Sequence, residues 1–194
     1  HGKVLLMALL AVCAVEAALW ELDAGRLTLD PAKARGPSVA ANILPEKMAA
    51  FSIEAWVRPT TFDTYNEIFR LEATTGRVLF SFQERGSILS LGLQGETYVE
   101  CDAGVSPGNL TDGCWHHVAG TLGKGVMRVR LDGREIASRP LPGAVAVVAR
   151  GVRAWVGSSS NQSEFFRGEI EGLKVHADEL SASAIAESAK KGEE

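Results

Sequence analysis

The sequence predicts an all-β protein, a two-sheet antiparallel β-sandwich with a short C-terminal helix. Between Trp20 and His176 the apolar residues fall in short alternating runs instead of recurring every three or four positions. Glycine turns separate these runs. So many short strands in one flat sheet would leave an apolar face in water, so two sheets packed face to face are expected.

At the N-terminus, Lys3 precedes an unbroken apolar run, Val4–Val15, and Val15-Glu16-Ala17 suits cleavage by a signal peptidase. Residues 1–17 are therefore expected to be a signal peptide. The run falls short of the roughly 20 apolar residues of a membrane span, so no transmembrane span is expected in the mature chain. The sandwich is expected over 18–180. In "FSIEAWVRP", Phe51, Ile53, Ala55 and Val57 share one face and Ser52, Glu54, Trp56 and Arg58 the other, and Pro59 ends the run.

Further strands are expected over Ile68–Ala73, Val78–Gln83, Ile88–Leu93, Thr97–Cys101, Trp115–Leu122, Met127–Leu131 and Ala154–Gly157. Gln94-Gly95, Gly123-Lys124-Gly125 and Asp132-Gly133 each join two strand patterns as hairpin turns. The four tryptophans lie in or beside strands and are assigned to the core. Ser181 can cap a helix over "ASAIAESAKK", and 181–194 is assigned as a helix or linker able to lead into a fused C-terminal domain.

The chain has 194 residues, 46% of them hydrophobic, enough for one core. Its formal charge is -4, and removing residues 1–17 takes away only Lys3 and Glu16, so the balance stays with the folded part. Without a basic surface, nucleic acid is excluded as a partner. Export directed by such a signal would place the protein outside the cell or in the periplasm. There Cys101 and Cys114 can form a disulfide worth roughly 3 kcal/mol, two buried thiols being the alternative.

"DGCWHHVAG" invites a zinc reading, but His116 and His117 alternate across a strand and cannot both face one ion. The chain also lacks a Gly-x-Ser-x-Gly elbow and a phosphate-cradling glycine loop.

Three segments, "FSIEAWVRP", "DGCWHHVAGT" with "MRVRLDGREI", and "FRGEIEGLKVHADELSASAI", resemble laminin-G-like, concanavalin A-like jelly-roll modules in order and spacing, over about Trp20 to Ile185. The resemblance implies a jelly roll that binds carbohydrate, mediates adhesion or accompanies a larger enzyme. Pentraxins share the strand plan. Their inter-strand disulfide would fall on Glu54 and Ala119, so that bond is absent, and their paired calcium loop reads "GSSSNQ", which lacks carboxylates.

That correspondence puts Trp56 opposite His117 and Glu54 diagonal to it, so a Glu54–His117 hydrogen bond between the sheets is expected. The resemblance also implies one structural calcium at the sandwich edge, held by Asp23 and Glu171, with no other cofactor.

Glu169 and Glu171 alternate on one strand at about 6–7 Å, near the separation used by retaining glycosidases. The third acid of the glucanase pattern this resembles is missing. Non-catalytic binding is therefore the primary reading, to a glycan or an extracellular protein. Phe62, Asp63, Tyr65 and Asn66 on one loop and Asn161, Gln162 and Glu164 on another are the expected ligand contacts. A retaining glycosidase using Glu169 and Glu171, and a purely structural module, are the rivals.

Overall fold

The computed structural model describes residues 20–21, 26–29, 38–39, 44, 47–72, 76–143, 145–146, 153–159 and 163–190. In chain order the strands are β1 (Trp20–Glu21), β2 (Arg26–Leu29), β3 (Ser38–Val39), β4 (Lys47–Met48), β5 (Phe51–Pro59), β6 (Tyr65–Glu72), β7 (Arg77–Gln83), β8 (Ile88–Gln94), β9 (Tyr98–Gly104), β10 (His116–Gly123), β11 (Val126–Leu131), β12 (Arg134–Pro140), β13 (Val145–Ala146), β14 (Ala154–Val156) and β15 (Gly168–His176). Helix α1 (Pro107–Leu110) precedes β10, and α2 (Ala182–Lys190) follows β15.

Two antiparallel sheets form the sandwich. The first runs β1-β15-β5-β10-β11-β12, with β2 also on β15, and the second runs β3-β14-β6-β7-β8-β9. A small pair joins β13 to β4. The predicted alternation holds in β5, whose Phe51, Ile53, Ala55 and Val57 enter the core against Phe80, Phe82, Leu89 and Leu91 of the second sheet. Each large apolar side chain buried this way contributes roughly 1.5–3 kcal/mol. The turns at Lys124-Gly125 and Asp132-Gly133 have positive φ at both central positions, the twist-matched hairpin geometry.

The register follows expectation: Glu54 lies opposite Ala119 and Trp56 opposite His117. Glu54 and His117 are thus diagonal neighbours on adjacent strands of one sheet, not partners between sheets. Their contact is 3.3 Å, an ion-pair distance, and Glu54 Oε2 and His117 Nδ1 have no aligned hydrogen-bond partner. His176 Nε2 approaches the other carboxylate oxygen at 3.5 Å. Burial alone would push Glu54 up, but His117 and then His176 hold it down at about 2.

This outer face of the first sheet is closed by the segment after β15. Ser52 Oγ donates to the Asp178 carbonyl at 2.7 Å and accepts from the Leu180 amide at 2.8 Å. Ser181 caps α2 as expected, accepting from the Ala184 amide at 3.1 Å. The helix seats Ile185 and lies over Gly133, where an added Cβ would meet Ala189 Cβ at 3.3 Å.

Two expectations are corrected here. Cys101 and Cys114 are not bonded to each other: Cys101 points into the inter-sheet core from β9, while Cys114 is exposed in the turn before β10. Burial pushes the Cys101 thiol up to about 11. Trp56, Trp115 and Trp155 are half-buried and outside the core cluster, because the alternation that sends their neighbours inward puts Trp56 and Trp155 on the outer faces.

Candidate functional site

Three connections meet at one end of the second sheet, and short-range hydrogen bonding shapes each of them. After β5, Asn66 clamps the loop: its Oδ1 accepts from the Asp63 amide at 2.9 Å, and its Nδ2 donates to the Asp63 carbonyl at 2.7 Å. Between β7 and β8, Glu84, Arg85 and Gly86 all take positive φ. Gly86 is required there, since a Cβ would sit 2.3 Å from the Phe62 ring. Between β14 and β15, Ser159 and Ser163 hydrogen-bond to one another, and the Glu164 carbonyl accepts from the Glu67 amide at 3.0 Å.

These loops enclose an open groove of about 580 Å³, lined by Phe62, Asp63, Thr64, Tyr65, Arg85 and the segment Ser163, Glu164, Phe165. Tyr65 is 44% exposed, the most exposed large aromatic side chain among the described residues. Of the expected contacts, Phe62, Asp63, Tyr65 and Glu164 do converge on the groove. Asn66 does not: it is buried and spends its amide on the loop's own backbone, which corrects its assignment as a ligand contact. Asn161 and Gln162 lie outside the described residues.

Beneath the groove lies a charge cluster that strand alternation does not reveal. β6 carries one extra residue against β7: Glu67 pairs with Ser81 and Phe69 with Phe80. Ile68 and Phe69 therefore both enter the core, and Glu67 and Arg70 emerge on the same outer face. Arg70 Nη1 lies 2.7 Å from Glu67 and 2.8 Å from Glu164, and its Nη2 lies 2.8 Å from Glu72.

Glu67 is buried and its Oε2 has no hydrogen-bond partner. Burial is the main reason its carboxyl is pushed up to about 7; Arg70 opposes the rise and Glu164 adds to it. Glu164 thus links the groove wall to this cluster. A signal was present in "NEIFRLE", where two adjacent apolar residues flanked by charges break the period of two.

The other expected sites resolve differently. Glu169 accepts from Arg58 Nε at 2.7 Å, and Glu171 pairs with Arg26 at 3.0 Å. Both carboxylates belong to ion pairs on the outer face of the first sheet. Asp23 lies outside the described residues, and among the described residues no group of three or more His, Cys, Asp or Glu side chains could hold a metal ion. The expected signal peptide also lies outside them, and among them no helix is long and apolar enough to cross a membrane.

The fold is shared with solved structures of low sequence identity. The CBM40 of the Ruminococcus gnavus IT-sialidase, bound to α2,3 sialyllactose, superimposes with a TM-score of 0.68 at 14% identity, covering 89% of this chain and 100% of that one. Domain 4 of AbnA, a GH43 extracellular arabinanase from Geobacillus stearothermophilus solved with arabinotriose, gives 0.63 at 19% identity, covering 79% and 72%. A heptameric SAP-like pentraxin from Limulus polyphemus gives 0.54 at 16% identity, covering 74% and 71%. At these identities the likeness is one of fold. No curated protein sequence matches the chain significantly. The family model of the concanavalin A-like lectin/glucanases matches residues 35–186, and the chain belongs to that superfamily.

Proposed function

We propose that this protein is a non-catalytic, extracellular carbohydrate-binding module, and that the groove beside Tyr65 holds its glycan. The observation that carries this reading is Tyr65 itself, an exposed aromatic side chain standing among polar groups fixed by their own loops. A sugar presents a C–H patch to an aromatic face and hydroxyls to its rim, and such a site supplies both. Asp63 is already matched by Arg167 at 2.6 Å and Glu164 by Arg70 at 2.8 Å, so the acids act as hydroxyl acceptors and the reading favours a neutral glycan.

Support also comes from two fold relatives solved with glycans, sialyllactose and arabinotriose, each named as part of an enzyme. Binding without turnover is favoured over glycoside hydrolysis because Glu169 and Glu171, the pair expected to do that chemistry, are each held by an arginine. A glycan array, followed by calorimetric titration of the best neutral ligand, tests the reading. Tyr65→Ala is expected to weaken binding tenfold or more, at roughly 1.4 kcal/mol per decade. An array without a ligand, or a Tyr65→Ala variant of unchanged affinity, would overturn it.

A further inference from the structure

A second groove, of about 470 Å³, opens on the outer face of the first sheet, between the β11–β12 turn and the C-terminal half of α2. Trp56 and Trp115 contribute aromatic surface, and His116, Asp132, Arg134 and Lys190 contribute charge. Gly133 and the small side chains of Ala186 and Ala189 keep the helix close and leave the indoles half-open.

The charges here are arranged unequally. His116 Nδ1 lies 3.1 Å from Asp132 and its Nε2 lies 3.3 Å from Asp112, so both ring nitrogens face carboxylates. The hydrogen bond to Asp132 is the main reason this imidazole is held above its usual range. Asp132 spends its other oxygen on the His117 amide at 2.9 Å, and Asp112 accepts from the Cys114 amide at 2.7 Å.

Both acids therefore already have protein partners, while their side chains stay partly exposed. Arg134 and Lys190 stay exposed at the rim, and the exposed Lys190–Glu187 pair at 3.6 Å holds little energy. The guanidiniums of Arg26 and Arg58 lie 5.0 and 5.1 Å from the Trp115 centroid, but Glu171 and Glu169 neutralise them.

We propose that this groove is a second binding site, for a pyranose that carries a carboxylate, with the sugar ring against Trp56 and Trp115 and the carboxylate on Arg134 and Lys190. An indole face takes the C–H side of a sugar, and a guanidinium takes a carboxylate bidentately, a combination a neutral sugar uses only in part. Among the residues lining the groove, Arg134 and Lys190 outnumber Asp132, the one acid, and this local balance in a chain of formal charge -4 favours an acidic ligand. The site lies apart from the groove beside Tyr65 and stands whether or not that groove holds a glycan.

The test is a tryptophan-fluorescence titration of the full chain, with the indoles of the groove as reporters. Trigalacturonic acid and N-acetylneuraminic acid are the two probes, one for uronates and one for sialates, and galactotriose is the neutral control. At least one acidic probe is expected to bind better than galactotriose, and binding should weaken as salt rises. Arg134→Gln and Lys190→Gln should each lower that affinity roughly tenfold, the loss of one charge-assisted hydrogen bond. Tyr65→Ala should leave it unchanged. Equal affinity for galactotriose, no response to either acidic probe, unchanged affinity in both charge variants, or loss of the acidic ligand in Tyr65→Ala would each overturn the proposal. The last outcome would leave the Tyr65 groove standing.

Discussion

Replacing Glu67 by Gln should stabilise the protein at neutral and alkaline pH, although it removes half of a buried ion pair. The fold raises the Glu67 carboxyl from 4.5 to about 7, chiefly by burial. A group raised in this way binds its proton more tightly when folded, so its contribution is complete below 4.5 and is lost as pH rises to about 7. At about 1.4 kcal/mol per pH unit, the wild type gives up roughly 3 kcal/mol across that window.

Glutamine keeps the shape and cannot ionise, and Arg70 retains Glu72 and Glu164 as counter-charges. Urea unfolding of both proteins at pH 5, 6, 7 and 8 should show Glu67→Gln nearly equal to wild type at pH 5 and up to about 3 kcal/mol more stable at pH 8. A variant that is less stable at pH 8, or a difference that does not move with pH, would refute the reasoning. The ionised pair with Arg70 would then be a net stabiliser.

The first sheet carries the opposite dependence. Glu54 is depressed from 4.5 to about 2, so its contribution is present above 4.5 and lost as pH falls to about 2, again roughly 3 kcal/mol. His117→Leu should cost about 3 kcal/mol at pH 7 and flatten this acid limb, because it leaves a buried carboxylate short of its partner; equal stability by urea unfolding would count against the pairing. Gly86→Ala should destabilise by about 2 kcal/mol and weaken glycan binding at the Tyr65 groove, through a positive φ and a displaced Phe62. A melting temperature and glycan affinity both matching wild type would show that Phe62 moves aside freely.

Much of this fold could be read from residue alternation. The inward face of β5 and the glycine hairpins follow from a period of two and its turn signals, whereas the opposition of Glu54 and Ala119 was implied by the resemblance to pentraxins. The loops contributing Phe62, Asp63, Tyr65 and Glu164 were equally legible as the places where aromatic and polar residues gather between strands. Alternation fails at one inserted residue. The extra position in β6 reverses the phase between Glu67 and Arg70, and residues that a strict period would place on opposite faces meet on one.

The cysteines and Asn66 were misjudged for a different reason. Their roles depend on which way a side chain turns inside a loop or at a sheet edge, and spacing along the chain does not encode that direction. The indoles show the same limit, since their place in or beside strands suggested the core while position in the pleat decided against it for Trp56 and Trp155.

The position of β5 also has a consequence during synthesis. This strand is hydrogen-bonded to β10 on one side and to β15 on the other, so it emerges from the ribosome long before either neighbour exists. Its edge toward β15 must wait for residues as distant as His176, and closing so long a chain segment is slow relative to local structure formation. Until then "FSIEAWVRP" is an unpaired, β-prone stretch with a hydrophobic face, the kind that seeks other strands. Ser52, Glu54 and Arg58 keep its opposite face polar, so the residues that later anchor the mature molecule also leave the nascent strand with only one sticky face.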